Sequence, residues 1–384
     1  MPPSSVLLIT FLFALASAAC AGNPAGTAVT GFPVSASIPA EPALVWHDVS
    51  TWGAEGRAFD GMERKRWFDR LPALAEDKVS ANVWNYSRDS AGMLVSFKTD
   101  ATTIWVDYAL LRERPVTAVI AAAMTAVGIS GIDLYARDDS NHWRWVGISH
   151  PGQQEVRQAL VADMSAGSRE YRVYLPLYNG VERLSIGVPP GASFEPIGPR
   201  TSKPIVFYGT SITQGASASR PGMSHTAILG RRLDRPVINL GFSGHGRMET
   251  SVGELLAKID AAVYVIDCLP NLDAHQVRER CIPLVTQLRA ARPGVPIILV
   301  EDRRNANAWV IPKRNQHHVD NHAALAASFL ALLDQGFEKL FYISGDGLLG
   351  HDSEGTTDGS HPNDLGFVRQ ADQFEPVLRK ALEL

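Results

Sequence analysis

The stretch that decides the fold is "KPIVFYGTSITQG", residues 203–215. Ile205 to Tyr208 form a short apolar run that breaks at Gly209, and Ser211 follows two positions later. Such a run bounded by Pro and Gly reads as a buried strand. Downstream, apolar strands at 236–240, 262–267, 296–301 and 339–343 alternate with helical patterns near 222–233, 247–259, 273–292, 315–335 and 363–381. Strand–helix alternation predicts an α/β domain whose parallel sheet is covered on both faces. Ligands in such folds bind at the carboxyl ends of the strands, which is where Ser211 falls.

Upstream the rhythm differs. "MLVSFKTD" (93–100), "TIWVDYAL" (103–110), "GIDLYARD" (131–138), "HWRWVGIS" (142–149), "REYRVYLPL" (169–177) and "RLSIGV" (183–188) are β-branched and aromatic runs separated by Gly, Asp, Asn and Ser. They predict an antiparallel β-sandwich. One insert, "GMERKRWFDRLPALA" (61–75), reads as helical. The Pro/Gly-rich 191–203 segment reads as a linker between a sandwich over 42–190 and an α/β domain over 204–384.

The N-terminus has an apolar run from Val6 to Ala18 that ends in small residues. It reads as a signal peptide over 1–21, although no Lys or Arg precedes Arg57. The run falls short of the roughly 20 apolar residues of a membrane span. Cys20 offers an alternative, a lipid anchor, and 22–41 reads as a flexible tether. The expected address is therefore secreted or periplasmic. Of 3 cysteines, Cys268 and Cys281 lie in the folded part and read as buried free thiols. A net charge of -4 without a basic cluster argues against nucleic acid as a partner.

An acyl-transfer serine needs a base, a carboxylate to hold it, and N–H donors for the oxyanion. The loop "GTTDGSHPNDLGF" (355–367) offers Asp358 and His361 together, after the last strand. "VINLGFSGHGRME" (237–249) offers Gly244, with Gly241 as the alternative donor. "VIDCLPNLD" (265–273) offers the side chain of Asn271.

This ordered set, Ser211, Gly244, Asn271 and Asp358-x-x-His361, resembles the SGNH (GDSL-type) hydrolases. The resemblance implies a flavodoxin-like five-stranded parallel sheet, preceded here by a jelly-roll-like sandwich carrying Gly131-Ile132-Asp133-Leu134-Tyr135 as a Gly-x-Asp-Leu-Tyr signature. It implies that Ser211 is the nucleophile, His361 the base and Asp358 its partner. Ser211, Gly244 and Asn271 would form the oxyanion hole, and no metal or cofactor would be needed. The usual Gly-Asp-Ser is Gly209-Thr210-Ser211 here, and the usual Gly-x-Asn-Asp is Leu269-Pro270-Asn271-Leu272. The implied activity is that of an esterase removing acetyl groups from polysaccharides or oligosaccharides. A lipid-directed esterase, a thioesterase and a catalytically inactive carbohydrate-binding protein are the alternatives.

Four further residues are candidate substrate contacts: Arg303, Trp309, and His245 and Glu249, which could instead orient the Gly244 loop or stand on a solvated helix start. His318 and His322 have metal-ligand spacing but read as a solvated helix face.

Overall fold

A computed structural model describes residues 43–384 apart from 60 and 114–121. The segments expected to be a signal peptide and a tether, with Cys20, lie outside the described residues. No helix among the described residues is long and apolar enough to cross a membrane.

The parallel sheet contains β10 (Ile205–Gly209), β11 (Val237–Gly241), β12 (Val263–Asp267), β13 (Ile297–Val300) and β14 (Leu340–Ile343) in the order β11-β10-β12-β13-β14. This is the flavodoxin-like 2-1-3-4-5 order. Alternation along each strand serves both faces. Val206, Tyr208, Ile238 and Leu240 pack under the helices Thr250–Leu256, Ala274–Ala291 and Pro312–Asp334. Ile205, Phe207, Val263 and Val265 pack against His225–Arg232 and Asp364–Ala381. Apolar residues on both faces make the strands continuous hydrophobic runs. The strand ends are level, with Gly209 beside both Gly241 and Asp267. Three loops therefore start from one line.

The antiparallel part consists of two sheets. One has the order β1-β8-β3-β6, from Val45–Asp48, Val181–Val188, Ile104–Leu110 and Glu155–Val161. The other has the order β5-β4-β7-β2-β9, from Trp143–Ile148, Asp133–Arg137, Arg169–Tyr174, Leu94–Thr99 and Phe194–Ile197. Val95, Phe97, Val106, Tyr108, Leu134, Val173 and Ile186 fill the space between them. The strand β9 lies inside the stretch expected to be linker and pairs with β2.

The insert expected to be helical over 61–75 is mostly turn, with a single short helical turn at Ala73–Ala75. Asp69 draws the Arg66 N–H onto its own carboxylate, and Pro72 cannot extend a helix. The helix forms later, at Ala81–Ser87, where Ser80 caps it by accepting from Val83 N–H at 3.3 Å.

The Gly-x-Asp-Leu-Tyr segment faces the parallel-sheet part. Asp133 accepts from Arg220 Nη1 and from the Gly222 N–H, both at 2.8 Å. Arg220 Nη1 also donates to Tyr135 Oη at 2.5 Å. A Cβ on Gly222 would sit 2.5 Å from the Tyr135 ring, so this contact requires glycine.

Candidate active site

Ser211 opens a short helix, Ser211–Gln214, immediately beyond β10. Thr210 caps it by accepting from Ile212 N–H, and Gly215 closes it in the left-handed region at φ 111°. The serine is 8% exposed. Its Oγ lies 2.9 Å from His361 Nε2, and His361 Nδ1 lies 2.7 Å from Asp358 Oδ2. The carboxylate fixes the Nδ1–H tautomer and leaves Nε2 to accept the serine proton. An alcohol held this way is prepared for attack on an acyl carbon.

The base loop is built locally. Asp358 Oδ1 accepts from the N–H groups of Ser360 (2.9 Å) and His361 (2.7 Å). The His361 carbonyl accepts from Thr356 Oγ1 at 2.7 Å and Thr357 N–H at 3.0 Å. Burial alone would raise the Asp358 pKa, but the hydrogen bonds from His361 and Ser360 outweigh it and hold the carboxyl below its usual value.

Gly244 has φ 72°, a left-handed conformation that favours glycine. Neither its N–H nor that of Ser211 has a hydrogen-bond partner among the described residues. The Gly241 N–H, by contrast, is taken by Asn239 Oδ1 at 2.9 Å. Asn271 donates one amide hydrogen to Gly246 O at 3.3 Å. Gly246 in turn lies so close to Gly209 that a Cβ would fall 1.8 Å from its carbonyl oxygen. The Asn271 side chain thus reaches the backbone beside the Ser211 turn.

The four expected substrate contacts divide. Trp309 is 83% exposed, on a loop whose Ala306 N–H donates to Gly359 O of the base loop at 2.9 Å. His245 is half-buried, its ring centroid 6.2 Å from that of Tyr86, and burial followed by the Arg247 charge lowers its pKa. Arg303 is corrected, and Glu249 is found in the other role open to it, at the Gly244 loop. Glu249 accepts from Tyr208 Oη and from Arg247 N–H, so it holds the turn after Gly244. Arg303 is buried, and its guanidinium donates to Ser360 O at 2.9 Å and to Ser360 Oγ. It braces the base loop from below.

His318 and His322 are also corrected: both are buried, not solvated. The helix turns them toward Asp302, which takes His318 Nδ1 at 2.8 Å and His322 Nε2 at 2.6 Å. The three could hold a metal ion by proximity. Yet the remaining nitrogens are engaged too, His318 Nε2 by Asn305 N–H at 3.0 Å and His322 Nδ1 beside Glu301 at 3.2 Å. An ion would have to displace these partners, so the cluster fits a hydrogen-bonded network better than a metal site. Burial opposes the Asp302 charge, but the two imidazoles outweigh it and hold that carboxyl well below its usual range.

Several residues of the site carried no sequence signal. Thr213 Oγ1 donates to Asp267 Oδ2 at 2.8 Å, and burial pushes the Asp267 carboxyl up to about 7. Tyr178 Oη donates to Ser211 O at 3.3 Å. Cys268 and Cys281 are buried free thiols, as expected.

Residues 202–379 match the profile of the GDSL-like lipase/acylhydrolase family. Residues 44–194 match that of the N-terminus of SGNH-hydrolase-type esterases, the Gly-x-Asp-Leu-Tyr module. No curated protein matches the chain. Among solved structures, a Bacteroides ovatus ATCC 8483 protein described as a GDSL-like lipase is 32% identical, with a TM-score of 0.83, over 89% of this chain and 98% of its own. A salicylyl-acyltransferase from a tetracycline biosynthetic pathway is 18% identical, with a TM-score of 0.66, over 89% and 96%. An acetyl xylan esterase from the rumen bacterium Butyrivibrio proteoclasticus is 12% identical, with a TM-score of 0.53, over 88% and 99%. The last two are similar in fold.

Proposed function

Because this chain belongs to the GDSL-like lipase/acylhydrolase family, we propose that it is an exported serine esterase that removes acetyl groups from carbohydrates. The observation that carries the reading is the unbroken hydrogen-bond line from Ser211 through His361 to Asp358. Ser211 Oγ attacks the ester carbonyl carbon while His361 Nε2 takes its proton. The N–H groups of Ser211 and Gly244 and the second amide hydrogen of Asn271 receive the oxyanion, each typically worth a few kcal/mol. The carbon–oxygen bond to the sugar then breaks, and His361 returns the proton to the leaving hydroxyl. Water, deprotonated by His361, then adds to the acyl carbon, the bond to Ser211 Oγ breaks as His361 returns the proton to that oxygen, and acetate leaves. Export rests on the apolar Val6–Ala18 run.

The carbohydrate assignment is supported by Trp309, whose exposed indole on the loop braced against the base loop offers a face for a sugar ring. Acetate release from acetylated xylan or xyloglucan by the wild type, and its absence in Ser211→Ala, tests the reading. A p-nitrophenyl ester series from acetate to palmitate tests the acyl group. Rates that climb with chain length would replace it with a lipid-directed esterase.

A further inference from the structure

We propose that an insert wider than the 61–75 stretch, the 61–92 segment between sandwich strands β1 and β2 that includes the helix Ala81–Ser87, is part of the catalytic apparatus, with Arg70, Asp89 and Gln214 acting as positioning residues that set the Gly244 donor relative to Ser211. This rests on the esterase reading of the site and adds to it a part of the chain outside the parallel-sheet half.

Arg70 is 1% exposed and spends all three guanidinium nitrogens on backbone carbonyls. Nε donates to Asp89 O at 2.9 Å and Nη2 to Tyr86 O at 2.5 Å, both within the insert. Nη1 crosses to β11, donating to Asn239 O at 3.0 Å and Gly241 O at 2.8 Å. Gly241 is the last residue before the loop that carries Gly244. The arginine therefore ties the insert to the base of that loop. A cation without water around it holds such carbonyls firmly, because releasing them would leave a buried charge unpaired.

Asp89 continues the line. It is 2% exposed, pairs with Arg112, and accepts from Gln214 Nε2 at 2.9 Å through Oδ2. Gln214 is fully buried and sits at the end of the short helix that Ser211 begins. Its Nε2 also donates to Leu177 O at 3.0 Å, and its Oε1 accepts from the Ser243 N–H at 3.1 Å. One amide side chain therefore joins the nucleophile turn to the residue immediately before Gly244. Asp89 fixes which end of that amide is which. With the NH₂ end held by a carboxylate, the oxygen must face Ser243. The Ser243 N–H is thereby engaged, and the next N–H, that of Gly244, stays available.

Displacements of about 1 Å at a distance from the chemistry can lower rates about 10²-fold. The effect here should fall on the transition state, since the donor meets charge that develops only there. The test is Gln214→Glu in the full chain, which keeps an acceptor for Ser243 but sets a second carboxylate against Asp89. Its kcat on p-nitrophenyl acetate should fall about 10²-fold with KM within about twofold. Inhibition by phenylboronic acid, which forms a tetrahedral serine adduct, should weaken by a similar factor. The pair Asp89→Asn with Gln214→Glu restores a donor–acceptor contact between the two positions but not the bond to Leu177 O, and should recover part of the lost kcat, up to about tenfold. Should Gln214→Glu not fold, Gln214→Met and Asp89→Asn carry the same readouts. An unchanged kcat, a loss confined to KM or to melting temperature, or a double variant no better than the product of its singles would overturn the proposal. Turnover that survives Ser211→Ala would instead sink the esterase reading, so the two failures are distinguishable.

Discussion

The two loops that meet at Ser211 are held by opposite means. The base loop is a local construction: Asp358 binds the N–H of Ser360 and both the N–H and the ring of His361, within three residues. It is half exposed, and Arg303 ties it to the interior. The Gly244 loop is anchored by residues far away in sequence, Arg70 and Asp89 through Gln214, all buried. A group that must carry a proton and turn toward it tolerates a surface loop. A donor that must already be in place when charge develops benefits from a rigid, dry support.

This contrast can be broken most severely on the base side. Asp358→Asn keeps the shape of the loop but reverses the favoured tautomer of His361. A kcat loss of about 10⁴-fold is expected, with the melting temperature nearly unchanged. Kinetics and thermal denaturation of the same preparation check it.

Glycine substitutions come next. A Cβ at Gly246 would lie 1.8 Å from Gly209 O, so Gly246→Ala must displace backbone and should lower both the melting temperature and activity sharply. A Cβ at Gly244 would meet nothing within 4 Å, and only its positive φ resists alanine. Gly244→Ala should cost about 1–2 kcal/mol of stability. Urea titrations of both variants decide whether the loop is packed at Gly246 and open at Gly244.

A smaller effect is expected from Arg303→Lys, which keeps the charge but loses the two-pronged grip on Ser360. The kcat should fall about tenfold, well short of the roughly 10² that a 1 Å misplacement can produce. An equal loss for Arg303→Lys and Gln214→Glu would erase the contrast between the loops.

The smallest is a pH effect at Asp267, which lies under the Ser211 turn through Thr213. Burial raises its folded pKa from 3.8 to about 7. Between those values the unfolded chain binds fewer protons than the folded one, so this group lowers stability as pH rises and adds nothing further above about 7. Asp267→Asn should therefore gain stability over the wild type progressively from pH 4 to 7, read as the difference in urea midpoints.

The same contrast explains what the sequence disclosed. Strand–helix alternation placed all five parallel strands, because their apolar runs are continuous and their ends carry glycine or polar loops. Ser211 was legible because it directly follows the first parallel strand, and Asp358 and His361 because they stand three apart in one Gly/Ser-rich stretch just before the last helix. The support of the Gly244 loop was not. Arg70 sits in a segment whose helical appearance was overridden by Asp69 and Pro72, and Gln214 is one polar residue in a turn. Their partners are set by packing between distant segments, which leaves no period or spacing to read. Arg303 and His318 were misplaced for a related reason. A charged residue after a strand reads as lining a groove, and one on a helix as solvated, unless a buried partner is known, and Asp302 supplies it for both.

The role of Ser211 as nucleophile is tested most directly by treating the intact protein with a p-nitrophenyl alkylphosphonate and mapping the adduct by mass spectrometry. One phosphonyl group per chain is expected, on Ser211, formed much more slowly in His361→Gln. Ester hydrolysis that continues while Ser211 stays unmodified, or an adduct on another residue that abolishes activity, would contradict that role.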